Sequence, residues 1–339
     1  MKWSKALFLF LSGLVLAVWT NPSSAIEPIP RQDGFSGIIG AGASYFDFKS
    51  NEIAKVAGVE VSEKRTGSLS DEPDSKSSAL PALKLDLRYT LGGSQTQFFL
   101  ANELFDLVKL DSFLELGVRQ QFSDRSILAV GVVFSGMVKA YQDPYQVNVD
   151  RNDTARKATG LRVVYDKIMG SGLALEAMYR KIDIDDEKSG TGLGLTPSQI
   201  ALLDRNGKEM SLGAQYAFAL GDGHFITPSF TYIKSDLDGD AVSNSRYQFE
   251  AAYLYDTKAY NFGLNLLFAT ASYDETNPVF NKEQEDTVFG GFAFGTYKNL
   301  ADVQGMDLVA KVGYAATDAD IDFLNSQATI AGLTLQYRF

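Results

Sequence analysis

The sequence predicts a single transmembrane antiparallel β-barrel, and three observations carry this prediction. Many segments alternate apolar and polar residues with a period of two, which is typical of strands with one face in lipid and one in a wet interior. Tight polar turns alternate with longer links between these segments. The chain ends on an aromatic residue, Phe339, after an alternating apolar series. The barrel must be closed, because only helices and closed barrels satisfy all main-chain polar groups in lipid.

The first 25 residues have the form of a secretory signal peptide. Lys2 and Lys5 precede an apolar run from Ala6 to Trp19, and small residues follow up to Ala25. We expect cleavage after Ala25, which leaves residues 26–339 as one barrel domain. Beyond the signal peptide no apolar run reaches the roughly 18 residues that a membrane-spanning helix needs.

The strand from Leu83 to Tyr89 shows the alternation most clearly, with apolar residues at odd positions and charged residues at even positions. Similar segments give about 14 strands, within a range of 12 to 16. They span residues 35–48, 80–91, 96–108, 113–122, 127–140, 157–166, 172–183, 208–220, 225–235, 245–256, 260–273, 286–297, 307–317 and 328–339. Two links break the rule of short and long turns: 109–112 is short for an outer loop, and 298–306 is long for a periplasmic turn.

The polar face of these strands carries charges of both signs. The predicted pore-lining residues are Lys84, Asp86, Arg88, Glu115, Arg119, Arg162, Glu176, Arg180, Arg246 and Glu250. Such a face suits a polar channel with weak charge selectivity, since opposite charges nearly cancel. The alternative is an interior filled by a network of salt bridges. A barrel of this size lies between filled and open barrels, and we favour a narrow channel.

Composition excludes several classes of function. The chain has no cysteine and one histidine, His224, which removes most transition-metal sites. A net charge of -11 argues against a nucleic-acid partner. His224 falls in a predicted periplasmic turn, and no nucleophile elbow, phosphate loop or zinc motif is present. We therefore predict no enzymatic activity and no cofactor.

Acidic residues concentrate in the predicted outer loops. Two triads with a spacing of two are weak candidates for divalent cations, namely Asp236, Asp238 and Asp240, and Asp318, Asp320 and Asp322. We favour solvated loops, or loops bridged by divalent cations to lipopolysaccharide. Two loops are candidates for constricting the mouth. One is the long segment from Lys49 to Ala79, and the other runs from Thr196 to Leu203 with the capping pattern of a short helix. The helix in the second loop could equally pack on the rim and only seal the top of the barrel.

Several short motifs resemble a known family. They are Ile26-Glu27-Pro28-Ile29-Pro30, Gly34-Phe35-Ser36-Gly37, Ser70-Asp71-Glu72-Pro73-Asp74-Ser75, Gly117-Val118-Arg119-Gln120, Phe134-Ser135-Gly136-Met137, Asp143-Pro144-Tyr145 and Arg180-Lys181-Ile182-Asp183. With them the chain resembles an uncharacterised γ-proteobacterial family of porin-like outer-membrane β-barrels, classed as a domain of unknown function. The resemblance implies the fold and the outer membrane of a Gram-negative bacterium, and it implies no catalytic residues.

We therefore expect a porin-like outer-membrane channel for passive passage of small polar solutes. The alternatives are a surface barrel with a structural or adhesion role and no transport, and a transporter of hydrophobic substrates. The expected partners are outer-membrane lipid and lipopolysaccharide, the barrel-assembly machinery acting on Phe339, and small polar solutes.

Overall fold

The computed structural model describes residues 27–106 and 111–339, and the side chains of these residues except 103–112. It shows a closed antiparallel barrel of 14 strands, which confirms the predicted fold class. In chain order the strands are β1 (Gly34–Lys49), β2 (Ser75–Leu91), β3 (Thr96–Asp106), β4 (Asp111–Gln121), β5 (Ile127–Ser135), β6 (Asp153–Asp166), β7 (Leu173–Ile184), β8 (Gly207–Tyr216), β9 (His224–Leu237), β10 (Asn244–Asp256), β11 (Tyr260–Asn277), β12 (Lys282–Tyr297), β13 (Met306–Ala319) and β14 (Ser326–Arg338). After short breaks, β5 continues as Val138–Tyr141 and β8 as Phe218–Gly221.

The first and last strands close the barrel. Their ladder runs from the pair Ile38 and Arg338 to the pair Lys49 and Gln327. One further rung joins Gly37 and Phe339, whose main-chain groups exchange hydrogen bonds of 3.0 and 3.1 Å. No helix among the described residues is long and apolar enough to cross a membrane.

The predicted alternation is visible in the exposure of side chains along each strand. On β10, Tyr247 and Phe249 are exposed while Arg246 is buried, and on β14 Leu333 is exposed while Thr334 is buried. Apolar side chains thus cover the outside and polar ones face the interior, as in barrels whose outer surface contacts lipid. The protein is a bacterial outer-membrane β-barrel.

The two links that broke the predicted turn pattern do not change the strand count. The link near 298–306 is a long turn with one 3-10 turn at Leu300–Asp302. The short link near 109–112 falls largely on residues 107–110, outside the described part of the chain. The expected signal peptide, residues 1–25, also lies outside it.

By the usual asymmetry of such barrels, the long loops face outward and the tight turns face the periplasm. We number the outer loops in chain order: L1 (50–74), L2 (107–110), L3 (142–152), L4 (185–206), L5 (238–243), L6 (278–281) and L7 (320–325). At the periplasmic end, the segment before β1 folds back against the barrel. Ile29 is buried and its N–H donates to Gln121 Oε1 at 2.8 Å, while Glu27 pairs with Arg88 at 3.0 Å.

Candidate functional site: a loop-capped lumen

A hairpin in L1 occupies part of the barrel mouth. Its strands are Ile53–Val56 and Val59–Glu60, joined by Ala57 and Gly58. Both turn residues have positive φ, 48° and 84°, the conformation of the two-residue turns that match the twist of hairpin strands. The first hairpin strand pairs with the β5 continuation, with Val56 opposite Val138. The hairpin therefore descends beside β5 and adds a strand to its edge.

The apolar face of the hairpin packs on side chains that belong to distant strands of the wall. Val56 and Val61 are fully buried there. We call this group the L1 cluster: Phe46, Phe48, Ile53, Val56, Val61, Leu80, Val138, Ala328 and Ile330. Phe46, Leu80 and Ile330 are inward-facing residues of β1, β2 and β14, whereas Val138 continues β5. L1 is therefore folded into the mouth, as the sequence suggested for this long loop.

A second apolar group joins loops from around the rim. The cap cluster consists of Tyr145 from L3, Leu203 from L4, and Ile321 and Phe323 from L7, all buried. Partly buried residues from L1, L4, L6 and L7 pack against it, namely Leu69, Leu193, Leu195, Val279, Phe280 and Leu324. The ring centroids of Tyr145 and Phe323 are 5.9 Å apart. Because these loops emerge between different strand pairs, the cluster holds them together across the opening.

Buried polar contacts tie the same loops together. Arg151 of L3 donates to the carbonyl of Asn51 at 3.0 Å and to that of Glu63 at 2.8 Å. Arg205 of L4 pairs with Glu187 at 2.9 Å, and both side chains are about nine-tenths buried. Burial raises the pKa of the Tyr145 phenol well above its usual range. The cap is thus held together by apolar packing and by these buried polar contacts.

The predicted short helix of L4 is present and lies on the outside of this cap. It spans Pro197–Ala201, and Thr196 and Gln199 form the expected capping box. None of its residues is buried, whereas Leu203, two residues beyond its end, is fully buried. The helix therefore lies on the rim, and Leu203 anchors L4.

Below the cap, the predicted pore-lining residues alternate with exposed apolar neighbours. Lys84, Asp86, Glu115, Arg180 and Arg246 are buried. Arg88, Arg119, Arg162, Glu176 and Glu250 are partly exposed. An inward side chain that keeps some exposure borders solvent. Glu176 has 34% of its side chain exposed, more than its ion-pair partner Arg162 with 19%.

The structure joins many of these charges into pairs. Arg162 bridges Glu115 at 2.9 Å and Glu176 at 2.8 Å. Arg88 pairs with Asp86 at 2.7 Å, and Arg180 with Glu209 at 2.5 Å. Arg119 stacks over the Phe99 ring at 4.3 Å. Glu250 accepts hydrogen bonds from Gln248 and Asn265.

A group of inward ion pairs lies on one side of the barrel, on β2, β4, β6, β7 and β8. We call this side the charged wall. Along β9 to β14 the buried inward residues are mostly neutral, for example Thr227, Asn265, Val309 and Thr334. The buried charged side chains on these strands are Arg246, Asp286, Asp307 and Lys311, and Asp307 pairs with Arg338 at 2.6 Å.

The weak metal candidates do not converge. Among the residues that the structure describes, no three carboxylate, histidine or cysteine side chains form a group able to hold a metal ion. Asp320 instead pairs with Lys282 at 3.0 Å and accepts from the Glu285 N–H. The other members of the two triads, Asp236, Asp238, Asp240, Asp318 and Asp322, likewise take no part in such a group. His224, predicted in the turn before this strand, is the first residue of β9, and its ring stacks on Tyr255 at 4.3 Å.

The sequence did not reveal an interruption of the wall between β2 and β3. Among the described residues, these strands pair from Asp86 and Ala101 down to Leu91 and Thr96, whereas β2 pairs with β1 from Ser75 to Thr90. Above the last rung the Asn102 side chain enters the gap. Its Oδ1 accepts from the Leu85 N–H at 2.7 Å, and its Nδ2 donates to the Leu83 carbonyl at 3.0 Å.

Between Pro81 and Leu85, β2 thus has no ladder partner on this side among the described residues, and its composition fits an edge. The main-chain N–H and C=O groups of Leu83 and Leu85 face β3. Because this direction alternates along a strand, the main chain of Pro81 faces β3 as well. Proline has no N–H to leave unpaired, which is why it is confined to edges in sheets. Pro81 within a strand was the sequence signal for this interruption.

Comparison with solved structures finds outer-membrane proteins of low similarity. An outer-membrane channel from Pseudomonas putida F1 is 13% identical, with a TM-score of 0.45 and coverage of 95% of this chain and 100% of that one. The outer-membrane channel DcaP of Acinetobacter baumannii is 12% identical, with a TM-score of 0.43 and coverage of 96% and 100%. A Pseudomonas aeruginosa FadL homologue is 11% identical, with a TM-score of 0.40 and coverage of 94% and 93%.

No curated protein matches the chain in sequence. A family model described as a protein of unknown function, DUF2860, matches residues 34–338, nearly the whole described barrel. The chain belongs to the DUF2860 family.

Proposed function

We propose that the protein is a porin-like channel for passive passage of small polar solutes, and that its outer loops close it in the state described here. The single observation that carries the proposal is the charged wall below a capped mouth. In a lumen completely filled by side chains, Arg162 and Glu176 would not border solvent. An ion pair that faces solvent adds little to the stability of the barrel, so stability alone does not explain these two charges. Fixed charges along a pore instead attract and exchange small polar solutes.

The L1 hairpin is the part of the closure whose removal tests this proposal most directly. Deletion of residues 53–60 removes the inserted strand and leaves the barrel ladders intact. In planar bilayers, we expect the refolded mature protein to show small or rare conductance steps and the deletion variant to show large, steady ones. If both proteins are folded and neither shows conductance, the result would favour the structural or adhesion role without transport.

The route of the solute can be tested on the charged wall. Glu176→Lys reverses a charge at the solvent boundary and is expected to shift the reversal potential toward anions in the hairpin-deletion background. Asp222→Lys makes the same charge change in an exposed periplasmic turn and is the control. Equal shifts in both variants would place the conduction path away from this wall.

The interrupted wall supports a second candidate, transport of a hydrophobic substrate that passes sideways between β2 and β3. This edge of β2 lies beside apolar inward residues, since Leu80 and Ala82 are buried on β2 and Phe113 on β4. Phe113 packs with Val133 and Met178 in a small apolar cluster of the interior. An opening here would connect lipid with an apolar part of the lumen.

A disulfide staple tests this second candidate. The Asn102 side chain already contacts the Leu85 N–H, so Leu85→Cys with Asn102→Cys is expected to close the gap on oxidation. A membrane-dissolved hexadecanol with a photoreactive diazirine should label Phe113 in the reduced protein and not in the oxidised one. Leu333, on the lipid side of β14, should be labelled in both. No labelling of Phe113 in the wild type would reject a lateral route.

Contact with outer-membrane lipid follows from the exposed apolar surface. Recognition of Phe339 by the barrel-assembly machinery, and bridging of the acidic loops to lipopolysaccharide, are parts of the proposal. Phe339 supports it by position, since its ring stacks on Tyr337 at 6.3 Å on the outer surface of the closing strand.

A further inference from the structure

We propose that the lumen holds a binding site for the carboxylate of a small organic anion, formed by Lys311 and Ser44 beneath the L1 cluster. Binding requires no conduction, so this inference stands apart from the proposed channel function. The ligand class that we propose is a small carboxylate with an attached apolar group.

The first step is the state of Lys311. It lies on β13 and is 7% exposed. No ion pair or hydrogen bond joins it to another described residue, in contrast to the arginines of the charged wall. A buried ammonium without a partner is costly, so ionisable groups at membrane depth are generally retained for function.

The second step is the neighbour of Lys311. Ser44 on β1 is 2% exposed, and its Oγ has no hydrogen-bond partner. Gly332 lies between the two residues in the sheet, paired with Ser44 on one side and with Lys311 on the other. A Cβ atom at Gly332 would lie 2.5 Å from Ser44 Oγ and 2.7 Å from Lys311 Cε. The Lys311 side chain and the Ser44 hydroxyl thus meet over Gly332, which has no side chain to separate them.

The third step is the chemistry of the surroundings. Phe294 is the cross-strand neighbour of Lys311 and is buried. Phe46 and Ile330 lie two residues beyond Ser44 and Gly332 on the same strands and belong to the L1 cluster. The donors therefore have an apolar cluster directly above them. A carboxylate can accept hydrogen bonds from an ammonium and a hydroxyl at the same time. An apolar group attached to the carboxylate would pack against the L1 cluster and so remove apolar surface from water.

The test is equilibrium binding to the refolded mature protein in detergent micelles, with benzoate as the probe. Benzamide has the same shape without the charge, and acetate has the charge without the ring. We expect saturable benzoate binding that is at least tenfold tighter than binding of either comparison compound. Equal binding of benzamide would reject the role of Lys311, and equal binding of acetate would reject the apolar part of the site.

Variants separate this site from non-specific attraction. Lys311→Met keeps the length of the side chain and is expected to weaken benzoate binding at least tenfold, and Ser44→Ala to weaken it less. Gly332→Ala should also weaken it, since the added methyl group displaces both donors. Lys258→Met, in an exposed periplasmic turn, is the matched control and should bind as the wild type does.

A structural role for Lys311 is distinguished by stability. Replacement of an unpaired buried charge by an apolar side chain is expected to leave stability unchanged or to raise it. Lys311→Met should therefore fold normally and lose the ligand. Wild-type affinity for benzoate in Lys311→Met, or no benzoate binding by the folded wild-type protein, would overturn the proposal.

Discussion

Arg205 of L4 donates through Nη2 to the main-chain carbonyl of Tyr141 at 2.6 Å, although 64 positions separate the two residues. The same guanidinium pairs with Glu187, and all three groups are buried. Tyr141 ends the β5 continuation beside which the L1 hairpin inserts. One side chain therefore connects L4 to the strand that holds L1 in the mouth.

Arg205→Ala should loosen the cap. The substitution leaves the Glu187 carboxylate buried without its partner, which typically destabilises a folded protein by about 3–5 kcal/mol. Detachment of L4 would expose Glu187 to water and so reduce this cost. We expect faster proteolytic cleavage within L4 and more frequent channel openings, with an intact barrel. Arg65→Ala removes an exposed pair with Asp150 and should change neither measurement. Cleavage at the wild-type rate in Arg205→Ala would show that the arginine does not hold the cap.

A second prediction concerns the docking of L1. Val56 and Val138 are cross-strand partners, so Val56→Cys with Val138→Cys should form a disulfide without reducing agent. The native chain has no cysteine, so no other pairing competes. Gel mobility before and after reduction detects the bond. Val56→Cys with Val130→Cys is the control, because Val130 is exposed on the outside of β5. Equal crosslinking in both pairs would contradict the inserted hairpin.

A third prediction tests the lipid-facing surface. Phe249 is 53% exposed on the apolar face of β10, and Phe249→Arg places a charge there. Such a change near the middle of the bilayer costs about 2–4 kcal/mol. Urea unfolding of vesicle-reconstituted protein should show this loss, whereas Lys258→Arg in a periplasmic turn should show none. An unchanged unfolding free energy for Phe249→Arg would mean that this face does not contact lipid.

A fourth prediction concerns the segment before β1. Ile29 is 3% exposed, and its N–H is held by Gln121. Ile29→Asp should release residues 27–33 from the periplasmic end, because a carboxylate is poorly accommodated in a buried apolar position. In reconstituted vesicles, we expect faster cleavage of this segment by a protease added on the periplasmic side. Pro30→Ala, at an exposed neighbouring position, should behave as the wild type does.

The strands could be predicted because their signal is local. The charged and apolar residues of Leu83–Tyr89 alternate within a few positions, and the same period recurs along the chain. The helix at Pro197–Ala201 was equally predictable, since Thr196, Pro197 and Gln199 form its whole capping pattern. The L1 hairpin was not predicted, because its turn has Ala57 at a positive φ where the usual signal is asparagine or aspartate.

The closure of the mouth could not be predicted, because it depends on contacts between distant segments. Nothing near Tyr145 in the sequence indicates that its ring packs on Phe323. The isolation of Lys311 is likewise invisible in the sequence, where it looks like any other inward charge. Arg162 forms ion pairs with Glu115 and Glu176, whereas Lys311 has no such partner among the described residues, and this difference appears only when the neighbouring strands are known.

The insertion of L1 beside β5 has a consequence for the order of folding. L1 leaves the chain between β1 and β2, but its partner strand is synthesised about 80 residues later, and pairing over such a separation is slow. The hairpin can dock only when β5 is already in the sheet and when the wall formed by β1 and β14 is present to receive its apolar face. Barrel closure thus precedes capping, and a newly assembled molecule passes through a stage at which its interior is accessible from outside.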